Sequence, residues 1–390
     1  MSHLMNTYGR QAVAFEKGEG AWLWDTNGKR YLDALAGIAV NGLGHAHPRL
    51  VKAIADQAGK VIHTSNIYQV PLQETLAARL AAISGMDKTF FCNSGAEANE
   101  AAIKLARLYG TKKGIEEPAI IVMEKAWHGR TIATLAATGS AKASAGFGKP
   151  ISGFLRVPYN NLDAIQTVAD QHPEVVAVLF EPIQGEGGIR LADIEYQRAL
   201  HSFCRERGLL YMVDEVQCGI GRTGAWFGFQ HTGILPDVMS LAKGLGSGVP
   251  IGACVAAGVA AEVFQPGTHG TTFGGGPLVC AAALETLAVM EDEHLLIRAE
   301  SLGHRMITGL EAALSAQPGV KEIRGHGLMI GVELDRPCAA LVALALEKGL
   351  LINVTQDSVV RLLPPLILKD EEADQIISIL VPLIQAFLKT

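Results

Sequence analysis

The chain has 390 residues, of which 49% are hydrophobic and 18% are charged, and its formal net charge at pH 7 is −6. This length predicts two domains, and the apolar content suffices for a large core, which excludes an intrinsically disordered protein. No block of basic residues interrupts the acidic balance. The charge pattern therefore argues against nucleic acid or an anionic membrane surface as a partner.

Cysteine usage and the chain ends bear on the cellular compartment. Six scattered cysteines without a C-x-x-C pair predict free thiols in a reducing compartment rather than disulfides or a metal site. Residues 1–15 lack the apolar region of a signal peptide. The stretch Ile376–Leu388 has polar interruptions and is shorter than the ~20 residues that span a membrane, so it predicts an amphipathic helix. We expect a soluble, cytoplasmic protein.

The first 50 residues predict an arm with a short β-hairpin. Its strands are Ala21–Trp24 and Lys29–Leu32, and Asn27-Gly28 supplies the turn, because this dipeptide favours the backbone angles of a tight hairpin. Residues 51–288 form the predicted large domain, and residues 289–390 form a C-terminal α+β unit. Two strands of that unit are predicted near Ile330–Leu334 and Val359–Leu363.

In the middle of the chain, short apolar runs alternate with helical patterns. Such runs are typical of strands that are buried on both faces of a sheet. The five predicted strands are Thr89–Cys92, Ile120–Met123, Val175–Phe180, Leu209–Val213 and Val238–Ala242. Helices are predicted over Ala96–Tyr109 and Ile194–Arg207, each ending before a glycine that fits a C-terminal cap. The alternation predicts an α/β fold with a mostly parallel, helix-covered sheet and a ligand site beyond the carboxyl ends of its strands.

Chemically distinctive residues follow three of these strands. The first strand runs into Ser94-Gly95-Ala96 at a helix start, where free N–H groups suit a phosphate, although an ordinary capped helix has the same pattern. Asp214 comes directly after another strand. Its carboxylate is either a partner for a cationic nitrogen or an ordinary acid solvated in the following loop. Lys243 follows a third strand and precedes a glycine-rich loop. Its amine is either a desolvated nucleophile or that of an ordinary surface lysine.

Two further loops add an aromatic ring and charged groups. Trp127 and Arg130 follow one strand, and Glu186 follows another, with core packing and surface exposure as the alternative explanations. Gly219–Gly224 matches the dinucleotide-binding pattern G-x-G-x-x-G, but no helical pattern follows it. In addition, no acidic residue ends a second strand about 20 residues further along the chain, so we disfavour a dehydrogenase. A phosphate turn, an aromatic ring, a carboxylate and a lysine at one sheet edge match the needs of pyridoxal 5′-phosphate.

Seven motifs stand in co-linear order between Tyr8 and Arg361. They are Ser94–Asn99, His128–Arg130, Glu181–Glu186, Asp214–Gln217, Lys243-Gly244, Gly270–Gly275 and Val360-Arg361. With these motifs the chain resembles the class III (subgroup II) aminotransferases, and within them the bacterial acetylornithine aminotransferases. The resemblance implies the fold type I of pyridoxal phosphate enzymes, in which a large domain is joined by a small α+β domain built from the N- and C-terminal segments.

The resemblance also implies roles at the cofactor. Lys243 would form the Schiff base and move the proton, and Asp214 would pair with the ring nitrogen. Gln217 would bond near the phenolic oxygen. The other implied cofactor contacts are Ser94, Gly95 and Ala96 at the phosphate, Val216 and Trp127 on the ring faces, and Thr272 at the phosphate of the neighbouring subunit in a homodimer. Trp127 stands where the family more often has Phe, which departs from the family pattern and bears on pocket volume.

On the substrate side, the resemblance implies two arginines. Arg130 would bind one carboxylate, and Arg361 would bind the second carboxylate of glutamate or 2-oxoglutarate. Glu186 would pair with Arg361 while the amine donor occupies the site. Tyr8, Asn41 and Thr271 would line the remaining wall. No metal is implied.

The implied reaction is ping-pong transfer of the terminal amine of N2-acetylornithine to 2-oxoglutarate, a step of arginine biosynthesis. Donors that stay open within the family are ornithine, succinylornithine, succinyl-diaminopimelate and 4-aminobutyrate. A pyridoxal phosphate aminomutase is disfavoured by the Glu186 and Arg361 pair, since that enzyme needs no 2-oxoglutarate step. A non-catalytic binding protein is disfavoured because Lys243, Asp214 and both arginines are present.

Overall fold

The structure is a computed structural model that describes residues 3–389. In chain order its strands β1 to β17 are Phe15–Glu19, Trp22–Asp25, Arg30–Asp33, Lys88–Cys92, Ala119–Met123, Phe154–Val157, Val175–Phe180, Ile183–Gln184, Arg190–Leu191, Leu210–Asp214, Val238–Leu241, Gly252–Ala256, Val320–His326, Met329–Leu334, Leu350–Leu351, Asn353–Thr355 and Val359–Leu362. Residues 1, 2 and 390, at the outer ends of the predicted segments, lie outside the described residues.

Helices of very different length connect these strands. The helices α1 to α12 are Ala36–Ala39, Pro48–Ala58, Pro71–Ser84, Gly95–Lys112, Ile132–Ala137, Ala141–Ser144, Leu162–Gln171, Ile194–Arg207, Pro277–Asp292, Leu295–Leu314, Ala340–Glu347 and Asp370–Leu388. Short 3-10 helices cover Gly228–Thr232, Lys243–Leu245 and Gly258–Glu262. Among residues 3–389 no helix is long and apolar enough to cross a membrane.

A seven-stranded sheet forms the centre of the molecule, in the order β4-β12-β11-β10-β7-β5-β6. Strand β12 runs antiparallel to both of its neighbours, and the other pairs are parallel. The five strands predicted from apolar runs are confirmed to within one residue at each end. Strands β6 and β12 were missed, because FLRV and GACVA are not continuous runs of large β-forming residues.

Of the two predicted helix C-termini, that of α8 is confirmed and that of α4 is wrong. Helix α8 ends as predicted at Gly208, whose φ of 63° allows the left-handed cap. Helix α4, however, runs through Gly110 to Lys112, so the predicted end before Gly110 is wrong. A Cβ atom at Gly110 would lie 2.6 Å from Val176 Cγ1 and 2.7 Å from Pro118 Cβ. Glycine is therefore needed there for close packing of the helix on the sheet rather than for ending the helix.

The chain ends meet in a smaller layer of structure. The predicted hairpin is confirmed as β2 and β3, with Trp22 opposite Leu32. Strand β15, from the C-terminal part, adds to β3 in parallel, and Trp22 Nε1 donates to Glu372 Oε1 of α12 at 2.7 Å. Both contacts agree with a small domain built from both ends of the chain. The bounds at residues 50 and 288 remain a prediction, and residue 288 falls inside α9.

Candidate active site

The carboxyl ends of β4, β5, β7, β10 and β11 meet at one edge of the central sheet, where they border a cavity of about 410 Å³. Such a volume is typical of a small-ligand site, for which the usual range is roughly 300–1,000 Å³. Most of the residues predicted for the site line this cavity. They are Ser94, Gly95, Ala96, Trp127, Arg130, Glu186, Asp214, Val216, Gln217 and Lys243.

The turn between β4 and α4 presents backbone N–H groups to the cavity. Ser94 is the N-cap of α4, and its side chain accepts a hydrogen bond from the N–H of Glu97 at 3.2 Å. At Gly95 a Cβ atom would lie 2.6 Å from Val216 Cγ1, so the wall leaves no space for a side chain. The free N–H groups and the positive end of the 18-residue helix favour an anion at this point.

Asp214, the last residue of β10, is fixed by three donors. Its Oδ2 atom lies 2.7 Å from Asn99 Nδ2 and 2.8 Å from His128 Nδ1, and its Oδ1 atom accepts from the N–H of Val216 at 2.9 Å. Ser240 Oγ donates to Asn99 Oδ1 at 2.7 Å, which orients the amide so that its nitrogen faces the carboxylate. The carboxylate is thereby held rigidly against the cavity.

Asn99 and His128 were assigned no role from the sequence. Both belong to motifs that were singled out, and Asn99 is a polar residue on the buried, alanine-rich face of α4, which is the signal that could have identified it. His128 Nε2 is buried without a hydrogen-bond partner among the described residues. The histidine therefore has Asp214 as its polar partner through the other ring nitrogen.

Lys243 lies in the cavity wall, two residues beyond the end of β11. Its φ of 45° places it in the left-handed region, a strained conformation for a residue with a side chain and one that is found often at functional sites. Burial lowers the pKa of its amine, the nearby Arg361 cation lowers it further, and the Asp214 carboxylate opposes both. A lowered pKa increases the neutral, nucleophilic fraction of the amine.

The loop after β5 supplies an aromatic and a cationic wall. The N–H of Trp127 donates to Glu181 Oε1 at 2.8 Å, and the guanidinium of Arg130 lies 4.9 Å from the centre of the Trp127 ring. Burial, and then the charge of Asp214, raise the pKa of the Glu181 carboxyl well above its usual range. Glu181 also lines the cavity, and sequence reasoning gave it no role.

Arg361 lies behind the cavity wall and is completely buried. Its Nη2 atom donates to Glu186 Oε1 at 2.8 Å, which matches the predicted pair. Its Nη1 atom donates to Gln217 Oε1 at 3.3 Å, and its Nε atom donates to Asn353 Oδ1 at 3.1 Å. Gln217 thus contacts both the cavity and Arg361, whereas the sequence suggested only a contact with the cofactor.

Besides Arg361, four predicted residues do not line this cavity. Thr271 and Thr272 border a separate surface cavity of about 370 Å³, and Thr271 Oγ1 lies 3.4 Å from Asn93 Nδ2. Tyr8 is 71% exposed. Asn41 is half-buried next to Val40, which does line the cavity. The roles of these four residues stay predictions.

The residues present fit pyridoxal 5′-phosphate. The Gly95 turn offers N–H donors to a phosphate, the rigid Asp214 carboxylate can face a ring nitrogen, and the Lys243 amine can reach an aldehyde. The Gly219–Gly224 segment takes no part. It forms turns without a following α-helix, and its Arg222 is buried with Nη1 bonded to the carbonyl of Leu328 at 3.1 Å. The prediction against a dinucleotide site agrees with that geometry.

Comparisons with known proteins bear on the family. A family model described as Aminotransferase class-III matches residues 5–384. The chain is 60% identical over 387 residues to acetylornithine aminotransferase 1 of Bordetella parapertussis, and the alignment covers 99% of this chain and 98% of that protein. It is 56% identical over 390 residues to acetylornithine aminotransferase of Nitrosomonas europaea, and this alignment covers 100% of this chain and 99% of that protein.

Solved structures agree with the sequence relatives. The ornithine aminotransferase of Toxoplasma gondii ME49 has a TM-score of 0.95 and 35% identity, covering 99% of this chain and 93% of that chain. The acetylornithine aminotransferase of Elizabethkingia anophelis has a TM-score of 0.87 and 34% identity, covering 98% and 96%. The predicted fold class and cofactor are thereby confirmed. The chain belongs to the class III aminotransferases, which depend on pyridoxal 5′-phosphate.

Proposed function

We propose that this aminotransferase transfers the terminal amine of N2-acetylornithine to 2-oxoglutarate, a step of arginine biosynthesis. The observation that carries the proposal is the ion pair between the buried Arg361 and the half-buried Glu186, at 2.8 Å beside the cavity. An arginine that can be neutralised by a neighbouring carboxylate suits a site that takes an amine donor and a dicarboxylate in turn. The relatives at 56–60% identity, named acetylornithine aminotransferases, support this choice of donor.

Bound pyridoxal phosphate supplies an aldehyde that captures amines and an electron-withdrawing ring that spreads negative charge. The protein supplies the proton transfer. Lys243 takes the proton from the donor carbon that bears the terminal amine, because its lowered pKa keeps part of the amine neutral. Asp214 holds a proton on the ring nitrogen, since its carboxylate is fixed by Asn99, His128 and the N–H of Val216.

Two cations at different depths recognise the carboxylates. Arg130 is exposed at the cavity rim and is placed to bind the α-carboxylate of the donor, or the distal carboxylate of 2-oxoglutarate, as a fork. Arg361 binds the remaining carboxylate of 2-oxoglutarate once the side chain of Glu186 leaves it. In the donor step Glu186 stays on Arg361, so the cation does not repel the donor's ammonium group.

A second cavity favours an acylated donor over free ornithine. It has a volume of about 380 Å³ and shares Trp127, Arg130 and Glu186 with the first cavity. A donor whose α-carboxylate lies on Arg130 therefore has room for an acyl group on its α-nitrogen, between Ser140 and Gln356. Free ornithine would place a bare ammonium group beside Arg130 instead, with no acyl group to fill that space.

The protein is proposed to act as a cytoplasmic homodimer. Exposed apolar side chains lie on the segment of Thr272 and on a segment in contact with it. Phe273 is 66% exposed, and Ile67 and Tyr68, which are 86% and 69% exposed, follow Asn66, whose Nδ2 atom donates to the carbonyl of Thr271 at 3.3 Å. Large apolar surfaces of this kind are typical of interfaces. A second copy packed there would bring its Thr272 toward the cofactor phosphate of this chain. The six cysteines are free and buried, which suits a reducing compartment.

A donor panel tests the proposal. The holoenzyme is assayed with 2-oxoglutarate and, in turn, with acetylornithine, succinylornithine, ornithine, succinyl-diaminopimelate and 4-aminobutyrate, and kcat/KM is compared. Acetylornithine should exceed ornithine and 4-aminobutyrate by at least about tenfold, since an unfilled acyl site and a misplaced ammonium each weaken binding by about 1 kcal/mol or more. A higher kcat/KM for ornithine or 4-aminobutyrate would contradict the proposed donor.

A further inference from the structure

Arg361 must stay oriented in two different states of the site. While Glu186 is bound to it, the guanidinium is held by an ion pair at 2.8 Å. When the Glu186 side chain leaves, a completely buried arginine still needs acceptors for its remaining N–H groups, because an unpaired buried donor is costly. The residues that provide those acceptors decide where the cation points during the dicarboxylate step.

Asn353 is placed to hold Arg361 independently of Glu186. It lies on β16, directly opposite Arg361 on the antiparallel strand β17, so the backbone ladder fixes their separation. Asn353 Oδ1 accepts from Arg361 Nε at 3.1 Å. Gln217, which reaches Arg361 from the other side, accepts from Nη1 at 3.3 Å. Neither acceptor carries a charge, so neither competes with an incoming carboxylate for the cation.

The backbone of Glu186 is anchored separately from its carboxylate. Its carbonyl oxygen accepts from Thr355 Oγ1 at 2.5 Å and from Gln356 Nε2 at 2.8 Å. Both donors follow Asn353 closely in the chain, at the end of β16 and in the turn after it. The same short segment therefore holds the peptide of Glu186 and the side chain of Arg361. The Glu186 carboxylate is held by Arg361 and by a longer contact of 3.5 Å with Thr355 Oγ1, so its peptide can stay in place when the carboxylate leaves Arg361.

We propose that Asn353 is a positioning residue that keeps Arg361 aimed at the cavity when Glu186 has moved away. Because Asn353 occupies Nε and leaves Nη2 to Glu186, the dicarboxylate must approach the Nη1 and Nη2 end of the guanidinium rather than its Nε side. Asn353 thus supports the 2-oxoglutarate step and has little influence on the donor step, in which Glu186 already holds the arginine. The inference rests on the proposed two-substrate use of Arg361.

Two holoenzyme variants test this role. Asn353→Leu keeps the branched shape of the side chain and removes the acceptor, and Asn353→Ser removes the contact with a smaller polar residue. Asn27→Ala, in the exposed hairpin turn, is the control. The donor and 2-oxoglutarate half-reactions are followed separately by the absorbance of the cofactor at varied substrate concentration, and circular dichroism verifies the folding of each variant.

Both Asn353 variants should weaken the apparent affinity for 2-oxoglutarate by about tenfold, the usual effect of losing one hydrogen bond to a charged group. The donor half-reaction should change less than about twofold, and the control should match the wild type. Equal losses in the two half-reactions, or an unchanged 2-oxoglutarate affinity, would overturn the role of Asn353. A wild-type enzyme that rejects 2-oxoglutarate would overturn the proposed function instead.

Discussion

The exchange between Glu186 and a substrate carboxylate is tested most sharply by the variant Glu186→Gln. Glutamine keeps an oxygen that can accept from Arg361 but loses the charge of the pair. The substitution replaces an ion pair by a hydrogen bond from the same cation to a neutral amide oxygen, which should weaken the contact by about 1 kcal/mol, or about fivefold in binding. Since 2-oxoglutarate must displace the side chain at position 186 from Arg361, weakening this 2.8 Å contact should strengthen 2-oxoglutarate binding by that factor.

The donor step should respond in the opposite direction. In the Glu186→Gln variant the buried cation of Arg361 is no longer neutralised, so a donor that carries an ammonium group should bind and react more slowly. The assay is single-turnover measurement of each half-reaction, with Glu19→Gln, which removes an exposed partner of Lys17, as the control. An unchanged or weaker affinity for 2-oxoglutarate, or equal effects on both steps, would refute the exchange of partners at Arg361.

Two further predictions concern the cofactor site. The Asp214→Asn variant lacks the carboxylate that raises the pKa of Lys243, so the pKa of Lys243 should fall further. Acylation of Lys243 in the cofactor-free enzyme should then reach its half-maximal rate at a lower pH than in the wild type. A shift of this midpoint to higher pH would contradict the prediction. Gly95→Ala places a methyl group 2.6 Å from Val216 Cγ1 in the phosphate turn, which should weaken cofactor binding at least about tenfold in an equilibrium titration. The control is Gly9→Ala, which should have no effect because no atom lies within 4 Å of the added methyl group. Val216→Ala in the Gly95→Ala background should restore part of the affinity, and a lack of restoration would show that the clash with Val216 is not the cause.

The sequence predicted those strands whose residues are apolar at every position. Val175–Phe180 is buried along its whole length, because helices cover both faces of the sheet, so its hydrophobic run is unbroken. Gly252–Ala256 is equally buried but built from small residues, and its pairing depends on the neighbouring strands rather than on its own β-propensity. Gly110 shows the same limit for helices, since its tight packing is visible only in three dimensions.

The site was predictable where a residue lies at the end of a strand or shortly after it. Asp214 ends β10 and Lys243 lies two residues beyond β11, and the topology of parallel strands brings them to one edge. Asn99 reaches Asp214 from within a helix, 115 residues away in the chain, which no local pattern indicates. The complete burial of Arg361 and its contact with Asn353 depend on the pairing of β16 with β17, which the sequence did not predict.

The most direct test of the site is to locate the lysine that bonds to the cofactor. Borohydride reduction of the holoenzyme fixes the carbon–nitrogen bond between the two, and peptide mass spectrometry then identifies the labelled residue. The geometry predicts the label on Lys243, and no label at this position when the Lys243→Ala variant is treated in the same way, with loss of turnover. A label on Lys125 or Lys142, which border the neighbouring cavity, or full activity in the Lys243→Ala variant, would contradict the assignment.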